Sequence, residues 1–343
     1  MRVLFCEFLY PKSHARSNSF YIECLSQAVD ELHLMSPEEF YEKIPKSVIK
    51  HNINKLSMDS GKISYRKNTL YYMWKAYKVI RKNGINKCVV ASADYITFLF
   101  FKFLVPSLDI YLIHHAELDV LSCNKIKQFV FALYKNKINH IVFEDYIKKY
   151  LKNEFKIYSK IMVMPHSLNK NEYIKNTNVY DLVGLSNSNN EEIIYSIIQY
   201  EMKTKEFEKR KIFVILKSKK YRYDDGYLKV LNGYLSNLDY NKYINGAKYI
   251  FIPFPKYFCY RESGTLMDAL SNNKKIIASD IMLVNEYSKL YPEICFVFRD
   301  IMDIVSILLE NRNTSMQLEE EEFKTFRMKH SHESLIEFYK KNL

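Results

Sequence analysis

The stretch Tyr249–Asp280, YIFIPFPKYFCYRESGTLMDALSNNKKIIASD, decides the fold. Its aromatic and β-branched opening reads as a buried strand ending at Pro253. A helix follows from Ser263 to Asn272, and Lys275 to Ala278 reads as the next strand. A strand, a helix and a second strand in this order form a βαβ unit, the building block of a parallel sheet. Ser263, Gly264 and Thr265 open the helix, where backbone amides and the helix dipole favour an anion such as a diphosphate. Asp268 stands one turn later and suits hydrogen bonds from ribose hydroxyls, while Arg261 is a cation for phosphate. An ordinary capped helix beside a surface arginine accounts for the same residues.

The same alternation runs outward in both directions. Towards the C-terminus, Ile294–Phe298 is a strand. Towards the N-terminus lie strands at Leu182–Leu185 and Ile212–Leu216, with helices near Glu191–Lys205 and Asn237–Asn245. The first half repeats the pattern with strands at Val3–Phe8, Cys88–Ala91, Ile110–His114, Ile141–Phe143 and Ile161–Met164. Helices are expected from Ser17 or Asn18 to Val29 and from Thr69 to Lys82, where Asn83-Gly84 stops the second. Between the halves, NKNEYIKNTN within Ser167–Asn178 is polar and without apolar periodicity, as an exposed linker is. The expected division is an α/β domain over residues 1–168, a second over 179–318, and a C-terminal helix over 319–343 that runs from the charged stretch Glu319–Glu322 to Leu343 and packs back on the first domain.

Composition narrows the function classes. The chain has 343 residues, 48% hydrophobic, with a net charge of +12 and only 7 glycines. Abundant Lys, Asn, Ile and Tyr are what AT-rich coding produces, so the charge alone is weak evidence for a polyanionic partner. No RNP, zinc-finger or helix-turn-helix signal accompanies it, and nucleic acid is not expected as a partner. Cys6, Cys24, Cys88, Cys123, Cys259 and Cys295 are scattered singly, which reads as reduced core residues and a cytoplasmic setting. The apolar run Tyr95–Val105 is shorter than the ~20 residues of a membrane span. It reads as a buried helix.

The order LNGYLS (Leu231–Ser236), AKYIFIP (Ala247–Pro253) and RESGTLMDALSNNKKIIAS (Arg261–Ser279) resembles the donor domain of group 1, family 4-like glycosyltransferases. That resemblance covers roughly Val183–Arg299. It implies the GT-B fold, two Rossmann-like doubly wound α/β domains facing a cleft, and transfer of a sugar from a nucleotide-sugar donor, a UDP-sugar above others, without a metal or a bound cofactor. By resemblance Gly233 and Tyr234 line the base, Ser263–Thr265 the diphosphate, and Asp268 the ribose. Lys217, with Lys219 and Lys220 beside it, stands where the family places cations that hold the leaving diphosphate. The family's pair of glutamates with seven residues between them is not reproduced, since with Asp268 as the second acid Tyr260 occupies the first position and Glu262 is two residues out of register.

In the first half, IYLIHHAELD (Ile110–Asp119) ends a strand with His114, His115, Glu117 and Asp119. His115 and Glu117 are the candidates for a general base on the acceptor hydroxyl. A core histidine with a capping aspartate is the plain alternative. His14 and Arg16, after the first strand, are candidates for acceptor contacts. The segment Tyr146–Lys160, with Lys148, Lys149, Lys152, Lys156 and Lys160 among aromatics, suits peripheral contact with anionic lipid or serves as a solvated face. The implied role is in cell-surface polysaccharide assembly, capsule or lipopolysaccharide, on a saccharide or lipid-linked acceptor. The rivals are a nucleotide-sugar epimerase of the same shape and a non-catalytic partner in an assembly complex.

Overall fold

The computed structural model describes all residues except 10–14, 38–39, 42–43, 55–61, 169–178, 234 and 311–315. The chain forms two compact units. The first comprises residues 1–167, 260–262 and 329–343; the second comprises 168–259 and 263–328. The polar linker read from the sequence falls almost wholly outside the described residues.

The first unit contains β1 (Arg2–Cys6), α1 (Ala15–Ser26), β2 (Glu31–Pro37), β3 (Ile49–Ile53), α2 (Lys62–Asn83), β4 (Lys87–Val90), α3 (Tyr95–Leu104), β5 (Asp109–Ile113), α4 (Glu117–Cys123), α5 (Lys125–Ala132), β6 (Asn139–Val142), α6 (Asp145–Glu154) and β7 (Ile161–Val163). Its seven strands run parallel in the order β3-β2-β1-β4-β5-β6-β7. One face of the sheet is covered by a core that joins Met73, Ile80, Phe98, Phe101, Phe131, Ile147 and Leu151. On the other face Tyr21, Ile22 and Leu25 of α1 meet Val3, Phe5 and Ile113. Strands β2 and β3 are absent from the sequence reading. His33 and Ser36 interrupt the apolar run of β2, and β3 is an edge strand that buries only its last residue.

The second unit contains β8 (Tyr180–Gly184), α7 (Glu191–Thr204), α8 (Glu206–Arg210), β9 (Val214–Ser218), β10 (Tyr223–Asp224), β11 (Leu228–Asn232), α9 (Asn237–Gly246), β12 (Ala247–Ile252), α10 (Gly264–Ser271), β13 (Lys275–Ser279), α11 (Met282–Leu290), β14 (Cys295–Phe298), α12 (Ile301–Glu310) and α13 (Met316–Lys329). Its sheet has the order β10-β11-β9-β8-β12-β13-β14, parallel except for β10, a two-residue antiparallel edge. The single C-terminal helix expected from Glu319 to Leu343 is two helices. Ser331 caps a separate α14 (His332–Asn342) by accepting from Ser334 N. Leu335, Phe338 and Tyr339 of α14 join the α1 side of the first core. The acidic run is engaged within the second unit, since Glu319 accepts from Lys275 Nζ at 2.8 Å and Glu322 from Glu293 N at 3.0 Å.

Both sheets wind outward from one internal strand, so each has a place where successive connections leave in opposite directions. Ligands of open parallel sheets bind at the carboxyl ends of the strands at that place. In the first unit it lies between β1 and β4, and in the second between β8 and β12. Gly184 ends β8 there, and a Cβ added to it would stand 3.0 Å from Phe251 O and 3.1 Å from Leu216 Cδ2. Replacing Gly184 with Ala is expected to destabilise the second unit by about 1–3 kcal/mol, because the neighbouring strands must part to admit a methyl group. Urea unfolding of the variant measures this, and an unchanged midpoint contradicts it.

Candidate functional site

In the second unit, the loop after β8 is tied over three strand ends. Asn189 Nδ2 donates to Gly184 O at 3.1 Å and to Lys217 O at 2.9 Å. Asn190 N donates to Pro253 O at 2.8 Å, and Asn190 Oδ1 caps α7. With its amide nitrogen committed twice, Asn189 leaves Oδ1 buried and without a partner among the described residues. Lys217 lies within β9 and not after it as the sequence reading had it, and it is buried. Its ammonium donates to Asn187 Oδ1 of the same loop at 2.6 Å. Lys219 and Lys220 are exposed, and Glu191 accepts from Lys219 N and from Ser218 Oγ.

The loop after β12 leads to α10. Ser263 is extended, with φ −122 and ψ 110, and its hydroxyl accepts from Leu266 N, the third amide of the helix. The amides of Gly264 and Thr265 have no partner among the described residues, as the first turn of a helix leaves them. A Cβ built on Gly264 meets nothing within 4 Å, so the space before this helix end is open. Asp268 is half-buried on the same helix, one turn on. Gly233 follows β11 with φ +97, a left-handed turn that suits glycine, and is exposed. Tyr234 lies outside the described residues.

In the first unit, the four expected residues divide into two kinds. Lys135 O accepts from His140 Nε2 at 2.7 Å, which leaves His140 Nδ1 to accept from His114 Nε2 at 2.8 Å and His114 Nδ1 to accept from Tyr95 OH at 2.8 Å. Each imidazole in this row is neutral, and burial holds His114 well below the usual histidine range and His140 at about 4. Both ring nitrogens of His114 are thus committed inside the core. Its expected place among the acceptor contacts would need one of these bonds to be exchanged.

His115 and Glu117 are brought together at the start of α4, where His115 N donates to Glu117 Oε2 at 3.2 Å and the His115 ring lies 5.0 Å from that of Phe143. Burial raises the Glu117 carboxyl above the usual range, opposed by backbone donors that include His115 N. Asp119 and Arg261 form an ion pair within the first unit, and Asp119 Oδ1 also accepts from Tyr260 N at 2.6 Å. Tyr260 in turn stacks on Tyr150 at 3.5 Å. Arg261, expected as a cation for phosphate, is paired with a carboxylate in this structure. Arg16 is exposed on α1, and His14 lies outside the described residues. Of the six free cysteines four are buried, but Cys123 and Cys259 are exposed, which corrects their assignment to the core.

One residue at the first unit's crevice escaped the sequence reading. Glu7 follows β1 and is buried; it accepts from Leu9 N at 2.8 Å, from Asn18 Nδ2 at 3.2 Å, and from Ser92 Oγ beyond β4. It closes the β1–β4 reversal much as Asn189 closes the β8–β9 end. A single Glu after an apolar strand carries no spacing signal. Only the strand order reveals its place.

No family model matches the chain, and no curated protein matches it by sequence. Solved structures do match over the whole length. Anabaena HepE, in complex with UDP-glucose, aligns with a TM-score of 0.65 at 8% identity, covering 99% of this chain and 98% of that one. The lipopolysaccharide outer core galactosyltransferase WaaB aligns at 0.61 with 9% identity and full coverage of both chains. A UDP-GlcNAc 2-epimerase from Neisseria meningitidis, bound to UDP-GlcNAc, aligns at 0.56 with 11% identity, again over both whole chains. The fold is the GT-B fold, two Rossmann-like domains, as the resemblance implied.

Burial lifts the Glu7 carboxyl from an ordinary 4.5 to about 7. Between those pH values the folded chain keeps a proton that the unfolded chain has released, so stability falls as pH rises through the interval and stays lower above it. Glu7→Gln is expected to abolish that fall and to exceed the wild type by up to about 3 kcal/mol at pH 8. Chemical denaturation of both proteins across this range measures it, and parallel curves contradict it.

Proposed function

We propose that the protein is a glycosyltransferase that moves a sugar from a nucleotide-diphosphate donor, a UDP-sugar first among them, to a hydroxyl of a saccharide or lipid-linked acceptor in cell-surface polysaccharide assembly. The observation that carries the reading is the N-terminus of α10, with two amides without partners, an open approach at Gly264, and a position on the loop after β12 where the sheet's connections reverse. The fold's similarity to HepE and WaaB supports it.

In this reading the amides of Gly264 and Thr265 bind the diphosphate, and Asp268 accepts from the ribose hydroxyls. Gly233 and Tyr234 flank the base. Lys217 acts as a buried cation behind the loop of Asn187 and Asn189, and Asn189 Oδ1 is an acceptor for a donor hydroxyl. As the bond from the anomeric carbon to the diphosphate oxygen breaks, charge builds on that oxygen, and prearranged amides and a lysine stabilise it without reorganising. The acceptor oxygen bonds the anomeric carbon and gives up its proton. Glu117, with His115 beside it, is the base assigned to that proton, because burial gives its carboxyl a higher proton affinity. Arg261 is reassigned to positioning, through its pair with Asp119. A metal ion and a bound cofactor are not part of the reading. Contact with an anionic membrane surface belongs to it, since a lipid-linked acceptor resides there.

A thermal-shift screen of nucleotide diphosphates and their sugars tests the donor site. A ligand at 100 times its dissociation constant is expected to stabilise the protein by about 2.7 kcal/mol. Asp268→Ala is expected to weaken the effective nucleotide about 10- to 100-fold while leaving the unliganded melting point close to that of the wild type. A flat screen opposes the proposal.

The epimerase alternative is favoured by one observation, the full-length fold match to the Neisseria enzyme. Incubation with donor alone separates the two readings, because an epimer then appears without any acceptor. An assembly partner without catalysis is favoured if a folded Asp268→Ala variant supports normal polymer production.

A further inference from the structure

Three neighbouring helices of the first unit share a feature that its sheet does not require. α2, α3 and α5 contain no aspartate or glutamate. All three contribute to the core on one face of the first sheet, and α3 contacts both α2 and α5. Their inner residues are ordinary core, such as Met73, Phe98, Phe101 and Phe131. The outer residues of α3 and α5 are not what a solvated surface holds.

On α5, Ile126 is 69% exposed, Phe129 69% and Leu133, just past its end, 47%; on α3, Phe103 is 74% exposed and Phe100 40%. Ile126, Phe129 and Leu133 recur at helical spacing, so they form one stripe, and Phe100 and Phe103 form a second on the helix packed beside it. Such a cluster of large apolar side chains on one surface marks an interaction site. The tyrosine- and phenylalanine-rich run that reads as a buried helix is therefore buried on one side only.

The surroundings say what kind of partner fits. α2 presents exposed Arg66, Lys67, Lys78, Arg81 and Lys82, and the Lys78 ammonium sits 3.6 Å over the half-exposed Trp74 ring. Lys125 is exposed at the start of α5, and Lys127 is paired with Asp94 at 2.8 Å. By contrast, α6, whose lysines first pointed to lipid, carries Asp145 and Glu154 at its two ends. An apolar stripe flanked by basic residues and an interfacial tryptophan complements a bilayer surface with anionic headgroups, where rings enter between acyl chains and cations remain at the phosphates. No helix among the described residues is long and apolar enough to cross a membrane.

We infer that the outer face of α2, α3 and α5 is a docking surface for an anionic lipid bilayer, with Phe103, Ile126 and Phe129 inserting and the basic residues of α2 holding the headgroups. This deepens the membrane contact proposed above by locating it, and it is independent of the transfer chemistry.

The test is co-sedimentation of the full chain with phosphatidylcholine vesicles, with and without phosphatidylglycerol. Binding is expected only with the anionic lipid and is expected to weaken as salt rises. The variant Phe103→Ser with Phe129→Ser is expected to lower partitioning about tenfold at an unchanged melting temperature, since both side chains are exposed. Lys78→Glu with Arg81→Glu is expected to lower it as well. The location is overturned, with the membrane contact retained, if these variants bind normally while Lys149→Glu with Lys152→Glu does not. Absence of binding to anionic vesicles overturns both. Sedimentation equilibrium supplies a further check: wild-type self-association that the phenylalanine variant abolishes makes this face a contact between copies and overturns the inference. Binding to duplex DNA that is insensitive to the phenylalanines, with none to vesicles, overturns it in favour of nucleic acid.

Discussion

The second unit depends on the close approach of β8, β9 and β12 at a residue with no side chain. Gly184 lets Phe251 and Leu216 close over the end of β8, where the order of connections reverses. Parallel strands leave their terminal carbonyls without ladder partners at such a place, and buried carbonyls need donors. Asn189 and Asn190 supply three of them in one loop. The hydrogen bonds that finish the sheet thereby also hold the loop that engages Lys217. The unpartnered amides of α10 follow the strand this loop is pinned to. Stability and the proposed donor site share the same few atoms.

The first unit solves the equivalent problem with a carboxylate. Glu7 gathers a main-chain amide, a serine hydroxyl and an asparagine amide across the β1–β4 reversal, and burial leaves it holding a proton near neutral pH. Glu117 is a second buried carboxyl with raised proton affinity, and its charge adds to the rise at Glu7. His114 and His140 in the same unit go the opposite way, because burial disfavours their charged forms, and both sit in the Tyr95–His114–His140 row. Residues of similar acid–base promise in the sequence thus separate by environment, with the ring nitrogens of His114 committed inside the core and the Glu117 carboxyl raised in proton affinity.

Much of this was legible from periodicity and loop chemistry. The strands from Val214, Ala247, Lys275 and Cys295 were read within about two residues, and the helix beginning after Ser263 was placed by its serine and glycine, the residues that capping physics selects. What the residues did not disclose depends on contacts distant in the chain. β3 pairs at an edge and shows no apolar run. The commitment of Arg261 to Asp119 links positions 142 residues apart, and nothing local distinguishes a paired arginine from one awaiting phosphate. From sequence Lys217 reads as following its strand because Lys and Ser break the apolar pattern, although both are buried members of β9. The resemblance to family 4-like enzymes supplied the expected donor chemistry, and the GT-B fold agrees with it at identities that speak to architecture alone.

The central claim is that the free amides opening α10 hold the donor's diphosphate. Amide-resolved nuclear magnetic resonance of the deuterated protein, titrated with UDP, addresses it directly. The account predicts saturable shifts centred on the Gly264 and Thr265 amides, with Asn189 and Lys217 following. Binding that leaves those amides unmoved and perturbs instead the opposite ends of the strands, around Lys248 and Lys274, contradicts it.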